Sequence, residues 1–183
     1  MINEIEIIKG HNYNDYFWIR PVEFVKGNTD ESLKVIELRD EISIQEDNVD
    51  AFLAYFFFKY YDNSLSYNSI EPDHERNGGK FEWYLTYNFF TYETINKMCD
   101  EILEVADLLE NDYKNPVLEP IKKSFSFCYE CDLNCDIING GNCLFDVDKN
   151  IGIVIRFYRQ FVKLIREIMS KNPQTSIISI MGP

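Results

Sequence analysis

Residues 52–61 read FLAYFFFKYY and residues 81–92 read FEWYLTYNFFTY, two runs so dense in aromatic side chains that neither fits along a single stripe of a helix. Each ring removes a large apolar area from water when it is buried, so the chain must build a core that covers these runs on more than one side. A 45% apolar and 15% aromatic composition supplies that core and excludes intrinsic disorder, which needs low hydrophobicity as well as high charge. At 183 residues one core is the default, and no composition shift or linker divides the chain. We therefore expect a single domain over residues 1–183.

Short stretches rich in Ile, Val, Phe and Trp at Ile5 to Ile8, Tyr16 to Phe24 and Leu33 to Leu38 read as strands. The polar breaks between them, Gly10 to Asp15 and Gly27 to Ser32, suit hairpin loops. Pro21 cannot donate to a ladder, which places its strand at an edge or at a bulge. Lys80 to Tyr87 alternates as a further strand, after a polar, loop-like stretch from Asp62 to Gly79. The ending TSIISIMGP follows Asn172-Pro173 with enough β-branched residues to make a last strand that rejoins the sheet.

Between these strands the spacing turns helical. Asp47 or Asn48 can cap a helix running to about Tyr61; a dense apolar run also suits a buried strand, and the caps with Ala51 and Ala54 favour the helix. After Thr91, a candidate N-cap, Ile95, Met98, Cys99, Ile102, Val105, Ala106 and Leu109 form one apolar face, and this helix must stop before Pro116. A third helix spans about Val147 to Ser170, with Val154, Phe157, Tyr158, Phe161, Leu164, Ile165 and Ile168 on one face and Arg156, Arg159, Lys163 and Arg166 on the other. Strands at both ends with helices between them predict an α+β fold: an antiparallel sheet of N-terminal strands and a C-terminal strand, packed against two or three long amphipathic helices.

Charge narrows the function. Asp plus Glu number 31 against 18 Lys plus Arg, a formal net charge of −13 that opposes nucleic acid and anionic membranes and favours a basic protein partner. The opening MINEIEIIKG is acidic where a secretory leader would be basic, and no apolar run approaches the roughly 20 residues that span a bilayer. A cytoplasmic protein is expected.

Cys128, Cys131, Cys135 and Cys143 form the sharpest local pattern, C-x2-C-x3-C-x7-C. Four thiolates can close a tetrahedral zinc site, and such a site would be structural because it leaves no open position for substrate. The second half lacks a Cys-x-x-Cys step, however, and the spacing departs from the bacterial iron–sulfur run. Small, partly buried side chains clustered by chance in a loop and the start of a helix are the plainer reading, so no cofactor is expected and zinc is the candidate if the thiols are occupied.

Only His11 and His74 could act as imidazole bases, and neither lies in a hydrolase or metalloprotease motif. Glu71, Pro72, Asp73, His74 and Glu75 read as a solvated turn, Glu104 and Asp107 as a solvent face, and Asp148 or its neighbour as a helix cap. The glycine pairs Gly78-Gly79 and Gly140-Gly141 match no phosphate-binding loop. No catalytic residue is therefore assigned.

The size, the acidity, the missing catalytic set and the stretch FEWYLTYNFFTYET together resemble small acidic bacterial proteins encoded beside toxins, whose immunity members neutralise a toxin domain by occluding its active site. The resemblance implies a non-enzymatic protein-binding protein. It would block a basic toxin domain sterically and electrostatically, with acids around Asp100 to Asp112 and Asp132 to Asp148 steering the encounter and exposed aromatics anchoring it. The alternative is an enzyme or small-molecule binder with an aromatic-lined pocket. A homodimer through the aromatic runs is compatible with either function.

Overall fold

The computed structural model describes residues 4–12, 15–26, 33–61, 81, 83, 87–125, 128–130, 142–144 and 147–183. It has the expected α+β architecture. Strands β1 (Ile8–Lys9), β2 (Tyr16–Lys26), β3 (Leu33–Glu37), β4 (Ile42–Gln45), β5 (Asn88–Thr91) and β8 (Ile177–Met181) form one antiparallel sheet in the order β1-β4-β2-β8-β5, with β3 also paired to β2. A separate hairpin joins β6 (Cys128–Glu130) to β7 (Asn142–Leu144).

The long strand β2 sorts its side chains by the two-residue period of a strand. Phe17 and Ile19 join Ile42, Ile44, Phe90, Ile178 and Ile180 in the main core, whereas Val22 packs on the other face with Phe89, Ile177, Phe24, Val35 and Tyr87. Pro21 is buried in this interior strand, not at an edge, and the bulge lies in the chain opposite it. β2 pairs with β4 through Ile19 and with β3 from Val22 onward, so Arg20 and Pro21 face the four residues Leu38 to Glu41. Leu38 N donates to Pro21 O at 3.0 Å. The nitrogen and carbonyl of one strand residue point to the same neighbour, so the missing N–H of Pro21 faces the bulge, where the ladder to β3 and β4 is interrupted.

Helix α3 (Tyr92–Asn111) starts as its sequence predicts, with Thr91 Oγ1 accepting from Thr94 N at 3.1 Å. It buries the seven predicted apolar residues. Helix α5 (Val147–Lys171) runs antiparallel to α3, because Arg159 meets Asp107 and Glu110 while Arg166 meets Asp100. A short helix, α4 (Glu119–Lys122), closes the connection after α3. Among the described residues no helix is long and apolar enough to cross a membrane.

The first aromatic run differs from its expected single helix. It is split into α1 (Glu46–Phe52) and α2 (Ala54–Tyr60), hinged at Leu53 with φ −116°. Gln45 occupies the cap position, and Asp47 and Asn48 fall inside the first turn. The hinge re-aims a run too dense for one straight face: Phe52 packs on Phe125 and Phe157, Phe56 on Tyr158, and Phe57 on Phe81 and Phe161. Of the strand expected at Lys80 to Tyr87, the described Phe81, Trp83 and Tyr87 are not in a strand; β5 begins at Asn88.

Candidate functional site

Among the described residues, Phe17, Phe52, Phe56, Phe57, Phe90, Phe157, Tyr158 and Phe161 are fully buried in the core. Phe58, by contrast, is 55% exposed on the outer side of α2. Its ring lies parallel to that of half-buried Trp83, with centroids 6.0 Å apart and planes 6° apart. Phe81 meets the edges of both rings at 5.2 and 6.1 Å.

Trp83 is held from several directions. Its Nε1 donates to Glu46 Oε1 at 2.9 Å, Phe17 meets it edge-on at 4.7 Å, and its carbonyl lies so close to Gly182 that a Cβ there would sit 1.8 Å away. These contacts come from α1, β2 and the chain end after β8. The shelf formed by Phe58 and Trp83 is thus fixed by the fold before anything meets it.

Beside this shelf α2 carries Tyr55, Lys59 and Tyr60, of which Lys59 and Tyr60 meet Glu101 of α3. Lys59 Nζ donates to both Glu101 carboxylate oxygens at 2.6 and 2.7 Å, and Tyr60 Oη donates to Glu101 Oε2 at 2.5 Å. The hydrogen bond to Glu101 raises the pKa of Lys59. Burial, then the same carboxylate, raises that of the Tyr60 phenol.

The helix acids expected to steer a partner are partly engaged. Arg159 Nη2 lies 2.8 Å from Asp107 and 2.6 Å from Glu110, and Arg166 Nη2 lies 2.6 Å from Asp100. The basic face of α5 and the acidic face of α3 therefore offset each other along their shared flank. Asp132, Asp136 and Asp146 lie outside the described residues, and Asp148 occupies the second position of α5 rather than its cap.

On the sheet face opposite the helices, Arg20 is only 7% exposed and is clasped by two carboxylates. Its Nη1 donates to Glu37, and its Nε lies 3.3 Å from Glu41 in an ion pair without hydrogen-bond geometry. Tyr87 Oη donates to Glu37 Oε1 at 2.7 Å. His11 stacks on Trp18 at 5.0 Å and brings Nδ1 to 3.3 Å from Glu41. Ser43 completes no triad with them: it is buried and donates its proton to Gly10 O at 2.6 Å. Beyond the Leu38 to Glu41 bulge, a half-open cleft of about 260 Å³ runs between Lys9, Arg39, Asp40, Glu41, Glu167 and Lys171, and His11 does not line it.

The cysteines divide. Cys99, the one outside the cluster, is a buried free thiol of α3. Cys128 pairs across the hairpin with Leu144, and Cys143 pairs with Tyr129, while Cys131, Cys135 and His74 lie outside the described residues. Among the described residues no group of three or more His, Cys, Asp or Glu side chains is placed to hold a metal. No family model, curated protein or solved structure matches the chain.

Sequence reasoning located the aromatic run but not which of its rings would remain outside. The signal was Lys59, the only charged residue in FLAYFFFKYY: its ammonium must reach water, and it takes the preceding Phe58 to the surface with it.

Proposed function

We propose that this chain acts in the cytosol by binding another protein, as an immunity-type factor that blocks a basic toxin domain sterically and electrostatically. One observation carries the reading: Phe58, 55% exposed, rests on a Trp83 that Glu46, Phe17 and Phe81 already hold in place. An exposed large ring normally loses conformational freedom when a partner covers it. Here that loss is small, which is the property of an interface anchor. The net charge of −13 favours a basic partner and a fast, salt-sensitive encounter, and it opposes binding to a phosphate backbone.

The test is native mass spectrometry of protein gently purified from its own cells at low salt, followed by the same capture with Phe58→Ala. The expected result is a stoichiometric basic partner that dissociates as salt rises and is lost with the alanine variant. Monomer, or only a homodimer, at low salt would overturn the reading.

A further inference from the structure

Next to Phe58, the side chains of α2 and α3 form a box around a positive charge. Lys59 Nζ lies 5.7 Å from the Tyr55 ring centroid and 5.6 Å from that of Tyr60, while Glu101 accepts from it with both oxygens. Two π faces and a carboxylate are a donor set suited to an organic cation. The walls are braced independently of the lysine: Tyr55 meets Phe56 edge-on at 5.3 Å, and Tyr60 donates to Glu101. Glu101 comes from α3, so tertiary packing and not helix periodicity completes the box.

We propose that Tyr55, Tyr60 and Glu101 form a recognition site for a lysine or arginine side chain of a basic protein partner, occupied in the free chain by Lys59. The inference rests on the docking reading and names what the surface beside Phe58 recognises. The Lys59 side chain is 46% exposed and that of Glu101 18%, so the ammonium plugs the mouth while the carboxylate lies deeper. An incoming cation can replace it without leaving Glu101 unpaired, and Lys59 swings into water on its flexible stem. The acidity of the chain favours such an exchange. Tethering gives Lys59 a local concentration on the order of millimolar or above, so a free cation competes poorly until a partner brings its own cation alongside the Phe58 contact.

The experiment is a titration of methylguanidinium and of tetramethylammonium into wild type and Lys59→Ala, read from the tyrosine ring resonances with sodium chloride as the ionic-strength control. Lys59→Ala should bind methylguanidinium about tenfold or more tightly than wild type, since the internal competitor is gone. Adding Glu101→Gln should abolish that gain. Far-UV circular dichroism verifies α2 in each variant, and Lys59→Gln, which retains part of the stem, should give an intermediate gain. Equal affinity in wild type and Lys59→Ala, or a gain indifferent to Glu101→Gln, would overturn the proposal. Phe58 is not a wall of the box, so the two failures are distinguishable: a null titration with capture still lost in Phe58→Ala overturns the box alone, whereas no captured partner overturns the docking reading and leaves the box, if the titration succeeds, as a cation site without that partner.

Discussion

The Tyr158 hydroxyl, on a fully buried ring of α5, donates to the backbone carbonyl of Phe52 at 2.9 Å, across 106 residues of sequence. That carbonyl sits at the hinge between α1 and α2. In a continuous helix it would accept from Phe56 N, but Phe56 N donates instead to Leu53 O at 3.0 Å. Tyr158 thus serves a group that the hinge deprives of its helical donor. Tyr158→Phe keeps the ring and removes the donor, so it should cost about 1–2 kcal/mol in urea unfolding. An unchanged midpoint would mean that the carbonyl has another partner and that the hinge does not depend on α5.

Gly182 is where the chain end passes under the aromatic shelf. A Cβ there would meet Trp83 O at 1.8 Å and Phe17 Cζ at 3.0 Å, and the closer atom is backbone that no rotamer change can move. Gly182→Ala should therefore displace Trp83 from Phe58, with a red shift of tryptophan emission and a lower melting temperature. Gly152 on α5 is the control: it is exposed, and its Cβ would meet only Arg156 Nη1 at 3.6 Å. Gly152→Ala should stabilise the protein by up to about 1 kcal/mol, the usual helix-interior difference. Equal effects of the two substitutions would contradict this account of Gly182.

Periodicity made α3 and α5 legible, because each buries one regular face, and β8, buried on both faces, was legible from its β-branched residues. Thr91 was readable as a cap for the same local reason. The hinge at Leu53 was not, since a run apolar on all sides carries no phase from which to read a change of direction. The bulge opposite Pro21 depends on which strand pairs with β2, and the neutralisation of Asp100, Asp107 and Glu110 depends on α5 lying alongside α3. Both are long-range facts. The shelf was hidden likewise: the sequence supplied the rings, but the hinge and Gly182 decide that Phe58 stays out and that Trp83 lies beneath it.

Arg20 should be the most costly surface-face residue to lose. Its side chain is 7% exposed and stands between Glu37, 34% exposed, and Glu41, 11% exposed, so Arg20→Met would leave two carboxylates without the cation they share. Water screens the Glu37 side, so the cost should lie between the about 1 kcal/mol of an exposed pair and the about 3–5 kcal/mol of a fully buried one. Glu41→Gln should cost less, because Arg20 keeps its hydrogen bond to Glu37. Chemical denaturation of both variants decides the order, and an Arg20→Met milder than Glu41→Gln would contradict it.

Alkaline pH should weaken the fold through acids whose neutral forms it shelters. Burial, then the hydrogen bond to Glu37, pushes the Tyr87 phenol from 10.0 up to about 12, and burial pushes the Cys99 thiol from 9.0 up to about 12. Where the folded state keeps a proton that the unfolded state has released, stability falls as pH rises. These contributions are intact below about pH 9 and are lost progressively between the unfolded values and pH 12. Urea midpoints should accordingly be insensitive to these two groups from pH 7 to 8.5 and fall beyond, with Tyr87→Phe flattening part of the decline above pH 10. The same burial predicts that iodoacetamide at pH 8 modifies Cys99 only after unfolding, which peptide mass mapping resolves from the other cysteines. Rapid native labelling of Cys99 would show that α3 opens far more often than its packing against α5 implies.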